Sequence, residues 1–99
     1  MAASALKTVR GTGDVNAALT GRAHVWGIVC FNSGTSTASA LLYDALSVTG
    51  SSVVDVAANP VGGTAFEECF RILFPQPIRF DVGVTVDITN VDLWFLLYN

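Results

Sequence analysis

The stretch VGVTVDIT, residues 82–89, decides the fold. Val82, Val84, Val86 and Ile88 fall on one side of an extended chain, and Gly83, Thr85, Asp87 and Thr89 on the other. Side chains alternate across a strand, so this is a strand with one buried face and one wet face. Asn90-Val91-Asp92 reads as a tight hairpin turn. The run LWFLLY, residues 93–98, follows and is apolar on both sides: Leu93, Phe95 and Leu97 on one, Trp94, Leu96 and Tyr98 on the other. In an isolated sandwich one of those sides meets water, and a flat apolar strand of this kind invites association.

Working back along the chain, RAHVWGIVCF (22–31) carries Ala23, Val25, Gly27, Val29 and Phe31 on one side and His24, Trp26, Ile28 and Cys30 on the other. Both sides are largely apolar, which fits a central strand covered on both faces. A turn cluster at 32–36 precedes a returning strand, ASALLYD (38–44). Thr49-Gly50-Ser51 turns the chain again, residues 53–57 form a short strand, and Asn59-Pro60-Val61-Gly62-Gly63 is a loop. AFEECFRIL (65–73) fits helical and strand spacing; with Pro75 close behind, it reads as a strand. Pro75-Gln76-Pro77 interrupts it before a short extended piece at 78–81.

Residues 1–20 are small and mixed. A short strand at Val9 and Arg10 is broken by Gly11, Gly13, Asp14 and Asn16, and Ala17-Ala18-Leu19 is too short for a helix. This segment reads as an extended N-terminal arm that pairs with a sheet edge only after assembly. The expectation is an all-β chain: a single antiparallel β-sandwich or jelly roll of 7–8 short strands over residues 21–99, with the arm at 1–20.

The chain has 99 residues, enough for one domain. It is 52% hydrophobic and 13% charged, which excludes a disordered chain. A net charge of −3 with five cations argues against a partner that is nucleic acid, because phosphate neutralisation needs a basic surface. The longest unbroken apolar run, residues 93–98, is six residues, so no membrane span is expected. The opening MAASALK lacks the apolar run of a secretory leader. Charge this sparse points to surface that lies in a subunit contact, since contact centres are poor in charge and rich in aromatics.

Little here promises chemistry. His24 is the single histidine and lies mid-strand beside Trp26. No serine sits in a nucleophile elbow. Glu67 and Glu68 are adjacent, so they point to opposite faces of a strand. Gly11-Thr-Gly13 is too short to cradle a phosphate. Cys30 and Cys69 stand outside any CxxC and read as two buried thiols, although one disulfide is arithmetically open. The expectation is therefore no enzyme, no cofactor and no metal. A glycan-binding module remains the alternative, with Trp26, Trp94 or Tyr98 as a stacking platform.

Three motifs together are similar to the small β-sandwich virion proteins of tailed bacteriophages. They are GRAHVWGIV (21–29), GTSTASALLYD (34–44), and PIRFDVGVTVDITNVD (77–92) followed by an ending in Leu97-Tyr98-Asn99. The resemblance covers residues 21–99. Two features depart from the pattern: the bulky LWFLLY, where a Val/Thr-rich strand is usual, and the Pro75-Gln76-Pro77 stretch. The resemblance implies a structural virion component, a capsid cement or decoration protein or a tail or neck component. It would be homo-oligomeric, often a trimer, and in contact with the major capsid protein or another virion protein. It brings no catalytic residues. The contact residues expected from the two-faced strand are Trp26, Leu93, Trp94, Phe95, Leu96 and Tyr98.

Overall fold

The computed structural model describes residues 6–32, 37–58 and 68–99. They form eight strands: β1 (Lys7–Gly11), β2 (Val15–Thr20), β3 (Ala23–Asn32), β4 (Ala38–Tyr43), β5 (Val54–Ala58), β6 (Glu68–Phe80), β7 (Gly83–Thr89) and β8 (Val91–Tyr98). Two antiparallel sheets of four result, ordered β1-β8-β3-β6 and β2-β7-β4-β5.

The pairing has a simple rule. β1 pairs with β8, β2 with β7, β3 with β6 and β4 with β5. The chain is one long antiparallel ribbon, doubled back between β4 and β5 and rolled so that successive pairs fall in alternate sheets. Contacts of β3 with β8 and of β4 with β7 complete the sheets. This eight-stranded roll is the jelly-roll arrangement, and the all-β antiparallel sandwich read from the sequence is what the chain adopts.

The inward sides of both sheets supply the core. Ile28, Leu42, Phe80, Val86, Trp94 and Leu96 are among its fully buried side chains. The inward side of β7 is as expected: Val84 and Val86 are buried, and Ile88 packs on the core. Its other side is not the wet face that alternation implied: Gly83 and Thr85 are buried, and the Thr85 hydroxyl donates to the Ala45 carbonyl and accepts the Ala17 N–H. Val82 falls just before the strand and is exposed.

Four further expectations are corrected. First, the segment 1–20 is not wholly an arm. β1 pairs along the free side of β8 and β2 along the free side of β7, so residues 7–11 and 15–20 belong to the sandwich itself. Gly11 lies opposite Trp94, where a Cβ would overlap the indole ring. The glycine that looked like a strand breaker is what lets β1 approach. Second, β7 and β8 do not form a hairpin around Asn90, because they lie in different sheets. Asn90 (φ 57°) turns a corner between the layers, a left-handed conformation that asparagine tolerates. β3 and β4 are likewise in different sheets.

Third, Pro75 and Pro77 do not end a strand. β6 runs through them as an edge strand, and both fall in the stretch 74–77 that has no register partner on β3, so a missing N–H breaks no ladder bond there. Fourth, the strict alternation expected over 22–31 fails at one point. The register with β6 and with β8 shifts between Val25 and Gly27. This bulge moves Ile28 and Cys30 to the side that Val25 occupies, and all three are fully buried. Of the turn expected at 32–36, Asn32 instead closes β3 and 33–36 lie outside the described residues, as do the loop at 59–63 and Glu67.

Candidate functional site

Among the described residues, one sheet face stands open, as the sparse charge leads one to expect. With Trp94 and Leu96 turned inward, alternation turns Leu93, Phe95 and Leu97 to the outer side of the first sheet, where each is only half-buried. Their register partners on β3 are Phe31, Val29 and Gly27. The Phe31 and Phe95 rings meet edge to face with centroids 6.3 Å apart, a favoured aromatic geometry. Leu73 on β6 lies opposite Gly27 and is 59% exposed. Its Cδ2 would stand 2.9 Å from a Cβ at Gly27, so Leu73 occupies the space a side chain there would need.

One row across this sheet reads Arg10, Phe95, Val29, Arg71, each residue the register partner of the next. The centre is apolar and both ends are cationic. A row on the opposite outer face reads Asp87, Leu41, Asp55. There the ends are anionic, and the Ser52 hydroxyl donates to the Asp55 carboxylate.

The expected contact residues separate into groups. Leu93 and Phe95 lie on the open face. Trp94 and Leu96 are corrected: both are fully buried within a single chain, so neither reaches a partner surface. Register decides this, because Trp94 lies opposite Gly11 and Cys30, and its indole N–H donates to the Gly13 carbonyl at 2.9 Å. A buried tryptophan with its N–H satisfied is a packing residue. Tyr98 follows the inward series at the end of the sandwich, opposite Lys7 and Val25, and is half-buried. Trp26 sits in the β3 bulge, half-buried, and its indole N–H donates to Asn99 Oδ1 at 3.2 Å.

His24 is held by its backbone. Its N–H donates to the Asn99 carbonyl and its own carbonyl accepts from the Asn99 N–H, both at 3.0 Å. Arg79, opposite it on β6, pairs with Asp81 at 2.7 Å, and Arg22 approaches the same carboxylate at 3.6 Å. Cys30 lies in the core opposite Phe70, while Cys69 is opposite Phe31.

Asp44 is the residue that sequence reading missed. Its carboxylate accepts the backbone N–H groups of Asp81, Val82 and Gly83, the shortest at 2.8 Å. Burial raises its pKa, but the three N–H donors outweigh that and hold Asp44 below its ordinary 3.8. Asp14 acts similarly on the Ile88 N–H at 2.8 Å. These acids fasten strand ends. The available signal was position: Asp44 directly follows a strand with a buried end and faces a turn with free backbone donors.

No family model, curated protein or solved structure matches the chain.

Proposed function

We propose that this chain is a structural virion protein of a tailed phage, of the cement or decoration type, which works by self-association and by contact with the shell. The observation that carries the assembly reading is the open face of the first sheet. Phe31, Leu93, Phe95 and Leu97 stand half-buried and Leu73 exposed on a surface that no described part of the chain covers. The motifs of residues 21–99 supply the virion setting, and a rigid two-layer roll suits a protein that adds contacts to a repeating shell. Position on the head or on the tail and neck uses the same face. The trimer implied by the resemblance is one value that a mass measurement would return.

Light scattering behind a sizing column tests the assembly. A mass above one chain, reduced to one chain by Phe95→Asp with the circular dichroism of the parent, supports the reading. A monomer at every concentration overturns it. Peptide mass spectrometry of purified particles tests the setting: recovery in virions supports it, and recovery only in the soluble host fraction overturns it. The glycan reading now rests on Trp26 and Tyr98, both half-buried, since Trp94 is buried. A fluorescence response to a glycan panel that Trp26→Phe removes would favour that reading.

A further inference from the structure

We propose that the outer face of the β1-β8-β3-β6 sheet in one copy docks on the outer face of the β2-β7-β4-β5 sheet in a second copy, head to tail. The inference rests on the self-association proposed above and names its partner surface.

Charge placement carries it. All five cations of the chain are Lys7, Arg10, Arg22, Arg71 and Arg79. Four lie on the two edge strands of the first sheet, and Arg22 immediately precedes β3. The acids on that sheet's strands, Glu68 and Asp92, sit toward its Asn32 end and off the row that joins Arg10 to Arg71. The strands of the second sheet carry only Asp55 and Asp87 as charged residues. Arg22 and Arg79 share Asp81, while Arg10 and Arg71 make no ion pair among the described residues. The two arginines without a partner are the ones that end the apolar row of the open face. The two carboxylates of the other sheet flank Leu41 in the same manner.

The spacings match. Neighbouring strands lie about 4.8 Å apart, so Asp87 and Asp55, two strands apart, are separated by roughly 10 Å. Arg10 and Arg71 are three strands apart, roughly 14 Å, and arginine stems lean inward over apolar surface. Docking the rows puts Phe95 and Val29 over Leu41 and each guanidinium beside a carboxylate. A contact between two copies of the first face would set arginine against arginine, and one between two copies of the second would set aspartate against aspartate. Only the head-to-tail contact pairs opposite signs.

The molecule measures 44 × 33 × 20 Å. A 44 × 33 Å face holds the roughly 800 Å² that each partner contributes to a standard interface. Because the two faces lie on opposite sides of the sandwich, repetition of the contact gives an open stack rather than a closed ring.

Two surface variants test this, each checked for parental circular dichroism: Arg10→Glu/Arg71→Glu and Asp55→Lys/Asp87→Lys. The expected result is a parent whose mass grows with concentration and falls with added salt. Each double variant alone should associate at least about tenfold more weakly. An equimolar mixture should regain growth beyond two chains, because every junction then pairs opposite signs. A mixture that stops at two chains, or an Asp55→Lys/Asp87→Lys variant with parental mass, overturns head-to-tail docking. Either result leaves the self-association reading standing if Phe95→Asp still dissociates the parent. A parent that is monomeric throughout overturns both.

Discussion

Trp94 and Phe95 are neighbours in the chain with opposite duties. Trp94 fills the space above Gly11 and donates to Gly13, so Trp94→Ala should cost roughly 3–5 kcal/mol through the cavity it leaves. A domain of this size is stable by about 5–15 kcal/mol. Urea unfolding followed by circular dichroism should show the midpoint fall steeply; a change under about 1 kcal/mol would mean that Trp94 is not a core residue. Phe95→Ala, on the open face, should leave that midpoint within about 1 kcal/mol of the parent. Asp44 belongs at this scale too. Its folded pKa lies below the ordinary 3.8, so its stabilisation is present above 3.8 and is lost as pH falls through the lower folded value. Thermal melts across the acid range should therefore lose midpoint below pH 4, and Asp44→Asn should flatten that limb. Parallel acid limbs for parent and variant would assign the loss to other carboxylates.

At the scale of strands, β6 is the instructive one. No described strand pairs with its outer edge, and Pro75 and Pro77 leave two positions of this edge strand without an N–H donor. Pro75→Thr/Pro77→Thr should open the edge to strand addition, read as a rise in thioflavin T signal and turbidity over the parent. A solution as clear as the parent would show that the bulge, not the prolines, guards it. The same strand shows what local reading reaches. Alternation in 82–89 and the turn signals between apolar runs made the strands and the sandwich legible. Local pattern says nothing of which strand lies beside which. The side of β8 that turns inward depends on Gly11 and Gly13, over eighty residues away, so local pattern does not reveal that Trp94 and Leu96 are buried while Phe95 faces outward. The bulge at Trp26 inverted the second half of β3 for a similar reason, since it answers the four residues 74–77 on β6.

For the whole molecule, the edges and the faces tell complementary stories. Each of the four edge strands carries a deterrent to pairing. β1 has Lys7 and Arg10, β2 is bent by Ala17 at φ 52°, β5 is five residues long with Asp55 at its second position, and β6 has its prolines. With the edges defended, the open face of the first sheet is the route left for assembly. The pairing rule also sets the folding rate. Apart from the β4–β5 hairpin, strand pairs join distant parts of the chain, so refolding should take milliseconds to seconds, as in other all-β domains. Stopped-flow tryptophan fluorescence would follow it through burial of Trp94; a microsecond phase carrying the full amplitude would contradict the topology.

β1 has one neighbour, β8, and β8 is the last strand of the roll. On the ribosome, the first strand of the roll to emerge is therefore the last of the eight to find a place. At roughly 5–20 residues per second, β1 waits several seconds beside a slot one strand wide between itself and β3. Lys7 and Arg10, guards of the finished edge, then serve an earlier purpose: they keep a lone nascent strand in solution until its partner has been made.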